Sequence, residues 1–82
     1  MDKEKLISRS LDIMESVKMI VGSHGEDVPE GEKSMLDSII DKLNTDKDFN
    51  NLTEIEFKYV RASYDAIYDK EEKIEWEEIY KK

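Results

Sequence analysis

Asp46, Asp48 and Asn50 set three oxygen-bearing side chains at alternating positions of one short polar stretch. That spacing suits a loop that wraps a hard cation, because calcium takes about six to eight oxygen ligands from carboxylates, amides and carbonyls. The set is incomplete at its end. A bidentate carboxylate belongs at the twelfth position counted from Asp46, about eleven residues on, and Phe57 stands there. Glu56 arrives one residue early, and starting the count at Thr45 puts Thr45, Lys47 and Phe49 at the ligand positions, which is worse. The other reading is a polar turn between two helices, whose Asp, Asn and Thr serve as caps.

The stretch from Asp46 to Phe57 resembles an EF-hand calcium loop, with Asn51 in place of the turn glycine. The resemblance implies a degenerate calcium module with Asp46, Asp48 and Asn50 as the residual ligands. Whether they bind any metal stays open at this point. Other catalytic equipment is missing. His24 is the single histidine, and its neighbour Ser23 is adjacent in sequence, which is not the geometry of a base-activated nucleophile. A zinc site needs further His or Cys ligands, and the chain has no cysteine. The glycines of Gly22-Ser23-His24-Gly25 are not followed by Lys-Ser or Lys-Thr, and Glu26, Asp27, Glu30 and Glu32 would repel a phosphate. With 21 Asp and Glu in 82 residues, close carboxylate pairs arise by chance. A catalytic pair needs a pocket that separates its pKa values. The expectation is a protein that is not an enzyme, with no catalytic residue, no cofactor and no metal site.

The elements that position these residues read as helices. From about Lys3 to Val21, Leu6, Ser10, Ile13, Val17 and Ile20 fall on one stripe, widened by Ile7, Leu11, Met14 and Val21. Gly22 is the expected stop, through a left-handed residue at the helix end. All three glycines and the single proline lie between Gly22 and Glu32, which marks a loop. Pro29 suits the first turn of the next helix. That helix runs from about Glu30 or Lys33 to Asn44, with a seam of Met35, Leu36, Ile39, Ile40 and Leu43.

The third helix has the sharpest start. Thr53-Glu54-Ile55-Glu56 is a capping box, and Leu52 with Phe57 forms the hydrophobic staple around it. Tyr59, Val60, Tyr64, Ile67 and Tyr68 continue the helix. Residues 70–82 contain no breaker, so they either extend this helix or form a fourth, with Trp76, Ile79 and Tyr80 on one side. No stretch alternates like a strand, and neither a repeat nor a linker occurs. The reading is one all-α domain over residues 1–82, a small bundle of three to four helices.

Ser34-Met35-Leu36-Asp37-Ser38-Ile39-Ile40 followed by Leu52-Thr53-Glu54-Ile55-Glu56 is similar to the helix–turn–helix hairpin of small phage-type accessory proteins. A helical module accompanying a T4-type recombination helicase is one such case. Here Glu56 stands where Gln is usual and the turn is longer. The resemblance covers under half of the chain and implies an accessory factor of replication or recombination machinery.

Charge narrows the partners. A net charge of −8 and a pI near 4.6 argue against direct nucleic-acid binding and against an anionic membrane surface. The longest apolar run, Met19-Ile20-Val21, cannot span a bilayer. Absence of cysteine is compatible with a cytoplasmic location. All seven aromatics lie from Phe49 onward. They fit core packing, but helix three carries two apolar stripes, Ile55, Tyr59, Ala62 and Ala66 on one and Phe57, Val60, Tyr64, Ile67 and Tyr68 on the other. Tyr and Trp are also what interfaces favour. The expected contact surface is therefore Tyr64, Tyr68, Glu71, Glu72, Glu75, Trp76, Glu77, Glu78, Ile79 and Tyr80. Its expected partner is a protein with a basic surface, which the chain modulates or inhibits. A phage or mobile-element factor acting on a host protein fits this composition. The oligomeric state is open.

Overall fold

Leu6, Ile7, Ser10, Ile13 and Met14 recur at helical intervals, and all five are buried on helix α1, Lys3–Ser23. Residues 3–23, 30–68 and 74–80 are described by the computed structural model. Three further helices follow: α2 at Glu30–Asp46, α3 at Glu54–Tyr68 and α4 at Trp76–Ile79. Among the described residues there is no strand, so the fold is the all-α bundle that the periodicity predicts. No helix among them is long and apolar enough to cross a membrane.

Helix α1 packs against both α2 and α3. It runs antiparallel to α2, since Lys3 reaches Asp48 at 3.1 Å while Lys18 reaches Asp37 at 2.6 Å. The Lys18–Asp37 pair is well exposed and the Lys3–Asp48 pair about half so, and both set register more than stability. The core is built from Leu6, Ile13 and Met14 of α1, Leu36, Ile39 and Leu43 of α2, and Phe57, Val60 and Tyr64 of α3.

Two expectations at the end of α1 are corrected. Ile20 is 61% exposed, and Val21 is buried instead. A strict 3.5-residue repeat drifts by about 20° per heptad on a straight helix. By the third heptad the core side has passed from Ile20 to Val21. Gly22 is helical rather than left-handed, and no described glycine has positive φ. The Ser23 hydroxyl donates back to the Met19 carbonyl at 3.0 Å, a local bond within the last turn.

The left-handed residue is at the end of α2. Lys47 has φ 51°, and its N–H donates to the Leu43 carbonyl at 3.2 Å. This is the single-bond helix stop that glycine usually provides. It is the only described non-glycine residue with positive φ, so Asn51 does not take the turn-glycine conformation expected of it. A tight turn then returns the chain, with the Leu52 N–H donating to the Phe49 carbonyl at 3.0 Å. Phe49 and Leu52 are both completely buried.

Helix α3 begins where the capping box predicts. The Glu56 N–H donates to the Thr53 Oγ1 at 3.2 Å, and the Thr53 N–H donates to the Glu56 Oε1 at 2.8 Å. Leu52 and Phe57 flank this box inside one core cluster. Residues 74–80 are not a continuation of α3. Ile74 and Glu75 are non-helical, and α4 is a separate single turn.

Candidate functional site

The C-terminal segment is held by the turn that precedes α3. Asn50 Nδ2 donates to the Ile79 carbonyl at 3.1 Å, and the Tyr80 hydroxyl donates to the Leu52 carbonyl at 2.9 Å. The Tyr80 ring stacks on Phe57 with centroids 4.0 Å apart. Within α4 the Tyr80 N–H donates to the Trp76 carbonyl at 2.9 Å, closing the turn.

Trp76 is the hub of the aromatic cluster. Its ring meets Phe49 at 6.2 Å, Phe57 at 5.7 Å and Tyr64 at 5.6 Å, each edge to face. Such pairs align the positive ring edge with a negative ring face and add to the burial of apolar area. Tyr64 in turn stacks on Tyr68 at 4.6 Å. The Arg9 guanidinium lies 5.0 Å over the Tyr68 ring and donates to the Tyr64 hydroxyl at 3.3 Å. α1 is thereby joined to the aromatic end of α3.

This arrangement corrects two of the expected contact residues. Tyr64 is 2% exposed and Trp76 is 4% exposed, so both belong to the core rather than to the exposed surface expected of them. Tyr68, Ile79 and Tyr80 are half-buried and rest against the core. Glu75, Glu77 and Glu78 are exposed. Glu71 and Glu72 lie outside the described residues, as do Glu26 and Asp27. Phe49 and Asn50, read from sequence as turn residues, prove to be the floor and the latch of the docked segment. What remains on the surface is a set of three carboxylates on a turn whose other side is locked into the core.

Two of the three EF-hand-like positions, Asp48 and Asn50, are engaged by partners within the chain. Asp48 Oδ1 accepts from the Asn50 N–H at 3.3 Å, from Asn50 Nδ2 at 3.2 Å and from Lys3 Nζ at 3.1 Å. Burial works against the charged form of Asp48, but these hydrogen bonds from Lys3 and Asn50 hold its carboxyl below the usual range. Asn50 directs its nitrogen, not its oxygen, at both Asp48 and Ile79, and both are acceptors. Asp46 closes α2 and is exposed. Among the described residues no group of three or more His, Asp or Glu could hold a metal ion.

Glu56 is the most committed carboxylate. It is 6% exposed, and it accepts from Lys42 Nζ at 2.7 Å as well as from Thr53. Burial pushes its pKa up, yet hydrogen bonds from Lys42, the Thr53 backbone and Ser38 outweigh that and bring it down to about 2. A carboxylate so placed joins α2 to α3 and is a poor proton carrier near neutrality. Tyr59 makes a second tie, its hydroxyl donating to Glu32 Oε1 at 2.9 Å. Burial, then the Glu32 hydrogen bond and charge, push the Tyr59 pKa up to about 12.

Two surface clefts flank α1. One of about 310 Å³ is lined by Glu4, Ile7, Ser8, Leu11 and Lys47. The other, of about 160 Å³, is lined by Lys18, Val21, Gly22, Lys33, Leu36 and Asp37. Neither lining contains a nucleophile paired with a base. No protein-family model, curated protein or solved structure matches the chain.

Proposed function

We propose that this protein is a non-enzymatic binding module that engages a basic surface on a partner protein and modulates or inhibits that partner. The observation that carries the reading is the exposed trio Glu75, Glu77 and Glu78 on a turn fixed by Trp76, Asn50 and Tyr80. Carboxylates held on a fixed turn lose less side-chain and loop freedom on binding than carboxylates on a free tail. The segment from Ile74 to Tyr80 holds three acidic residues and no basic one, within a chain of net charge −8. Charge of that kind steers a basic partner and speeds encounter, and its effect falls with salt. A phage or mobile element, with a host protein as the partner, is the setting that suits so small and acidic a chain.

The test is an affinity capture with the full chain beside its Glu75→Gln/Glu77→Gln/Glu78→Gln variant. The variant removes three exposed charges and leaves the docked aromatics in place. A protein retained by the parent, released by salt and not retained by the variant is the expected result. Equal retention by both proteins would refute the assignment of this surface. A mobility shift of DNA by the isolated protein at physiological salt would refute the partner class.

A further inference from the structure

One side of α3 carries no charge and is largely exposed, with Tyr59 alone leaning back on the chain's own core. Ile55, Tyr59, Ala62 and Ala66 recur at steps of four, three and four, the spacing of a helix–helix seam. They lie on the opposite side of the helix from Phe57, Val60 and Tyr64, which are buried. Ile55 is 72% exposed, Ala62 and Ala66 are exposed, and Tyr59 is half-buried with its hydroxyl turned to Glu32. Lys58 and Asp65 border the stripe along one edge, two helical turns apart. In a chain where 41% of residues are charged, a solvent-facing helical stripe without charge stands apart.

We propose that this stripe is the contact surface for a second copy of the chain, packed antiparallel about a two-fold axis. The reason is that the stripe is complementary to itself. In the antiparallel pair, Ile55 lies against Ala66 of the second copy and Tyr59 lies against Ala62 of the second copy. The axis repeats both layers, as a symmetric interface requires. Each layer sets a large side chain against a small one, which lets two helices interdigitate at ordinary spacing. A parallel pair would instead set Ile55 on Ile55 and Ala66 on Ala66, overfilling one layer and leaving another empty.

The bordering charges agree. In the antiparallel pair the same edges of the two helices meet, so Lys58 borders Asp65 of the second copy, twice over, whereas a parallel pair brings opposite edges together and separates Lys58 from Asp65. Lys58 also bonds Glu54 of its own helix at 3.2 Å, but both side chains are largely exposed and that pair leaves its other donors in water. One pair of short helices buries less than about 1,200 Å². The association is therefore weak and concentration-dependent. It uses none of Glu75, Glu77 and Glu78, so it stands or falls separately from the acidic surface.

Sedimentation equilibrium of the full chain at physiological salt tests it. The mass should rise from 9.7 kDa toward its double between micromolar and millimolar concentration. Ala62→Glu places a charge in the central layer at an exposed position, so helicity by circular dichroism stays while the mass remains that of the monomer. Lys58→Asp weakens the dimer, and Lys58→Asp with Asp65→Lys restores it. The Ile55→Cys/Ala66→Cys variant, whose two sites are too far apart on one helix to join, oxidises to a covalent dimer. A parent that stays monomeric at millimolar concentration overturns the proposal. So does a dimer that persists in folded Ala62→Glu, or a double-cysteine variant that oxidises without a covalent dimer.

Discussion

The ring of Tyr80 lies flat on the ring of Phe57, with planes 7° from parallel, while its hydroxyl donates to the Leu52 carbonyl at 2.9 Å. One side chain thus closes the segment 74–80 onto both the staple and the first turn of α3. Tyr80→Phe keeps the stack and loses the hydrogen bond, at a cost of about 0.5–1.5 kcal/mol. Tyr80→Ala loses both, at about 2–4 kcal/mol. Urea titration of the two variants measures these costs. Amide exchange in α4 should rise more than in α2.

Glu56 predicts an acid limb of stability. Its folded pKa, about 2, lies below the ordinary 4.5, so the charged form is favoured by folding. Its contribution is complete above the unfolded pKa and is lost as pH falls toward the folded value. Stability should therefore decline between about pH 4.5 and pH 2, and Asp48, also depressed, adds to the decline. In Glu56→Gln the decline across that window should be shallower. Gln can still cap Thr53, so the neutral-pH cost is about 1–2 kcal/mol. Melting temperature against pH for both proteins checks the difference.

Tyr59 predicts the opposite sign at high pH. Its folded pKa, about 12, lies above the ordinary 10.0, so folding favours the neutral phenol. That contribution is complete below the unfolded value and is lost as pH rises through the folded one. An ultraviolet titration should show a phenol step displaced above the ordinary value, and Tyr59→Phe should remove that step. Glu32→Gln removes the facing charge and should bring that late step earlier.

Lys47 holds φ 51° with a side chain that disfavours it. Gly adopts this conformation freely, so Lys47→Gly should raise stability by about 0.5–1 kcal/mol. In a domain of this size that corresponds to a melting shift of about 2–8 °C. A thermal scan decides it.

Ser10 lies on the buried side of α1, and its hydroxyl has no hydrogen-bond partner among the described residues. Ser10→Ala removes that unsatisfied group and improves helix propensity, so it should stabilise by about 1 kcal/mol. The same urea titration reads it.

What is legible in the sequence is what neighbours decide. Thr53 and Glu56 are one helical turn apart, and their reciprocal hydrogen bonds place the start of α3 where the capping box puts it. The seam of Leu36, Ile39 and Leu43 is equally local, and all three are buried. The aromatics are different. Trp and Tyr enrich both cores and interfaces, so composition cannot separate Trp76 as hub from Trp76 as anchor. The deciding bonds, Asn50 to Ile79 and Tyr80 to Leu52, join residues 29 and 28 apart. No local pattern announces them. Phe49 eludes a local reading for the same reason, since its burial against Phe57 and Trp76 depends on the returning segment.

Trp76 is the only indole of the chain, and it sits among Phe49, Phe57 and Tyr64. An indole shielded from water emits at shorter wavelength than a hydrated one. The protein therefore carries its own optical reporter, free of any added label, of whether residues 74–80 are seated. Excitation of that one ring during titration with a basic partner distinguishes two events. An unshifted spectrum means the carboxylates are met on a seated turn, and a red shift means the turn is prised off the helices beneath it.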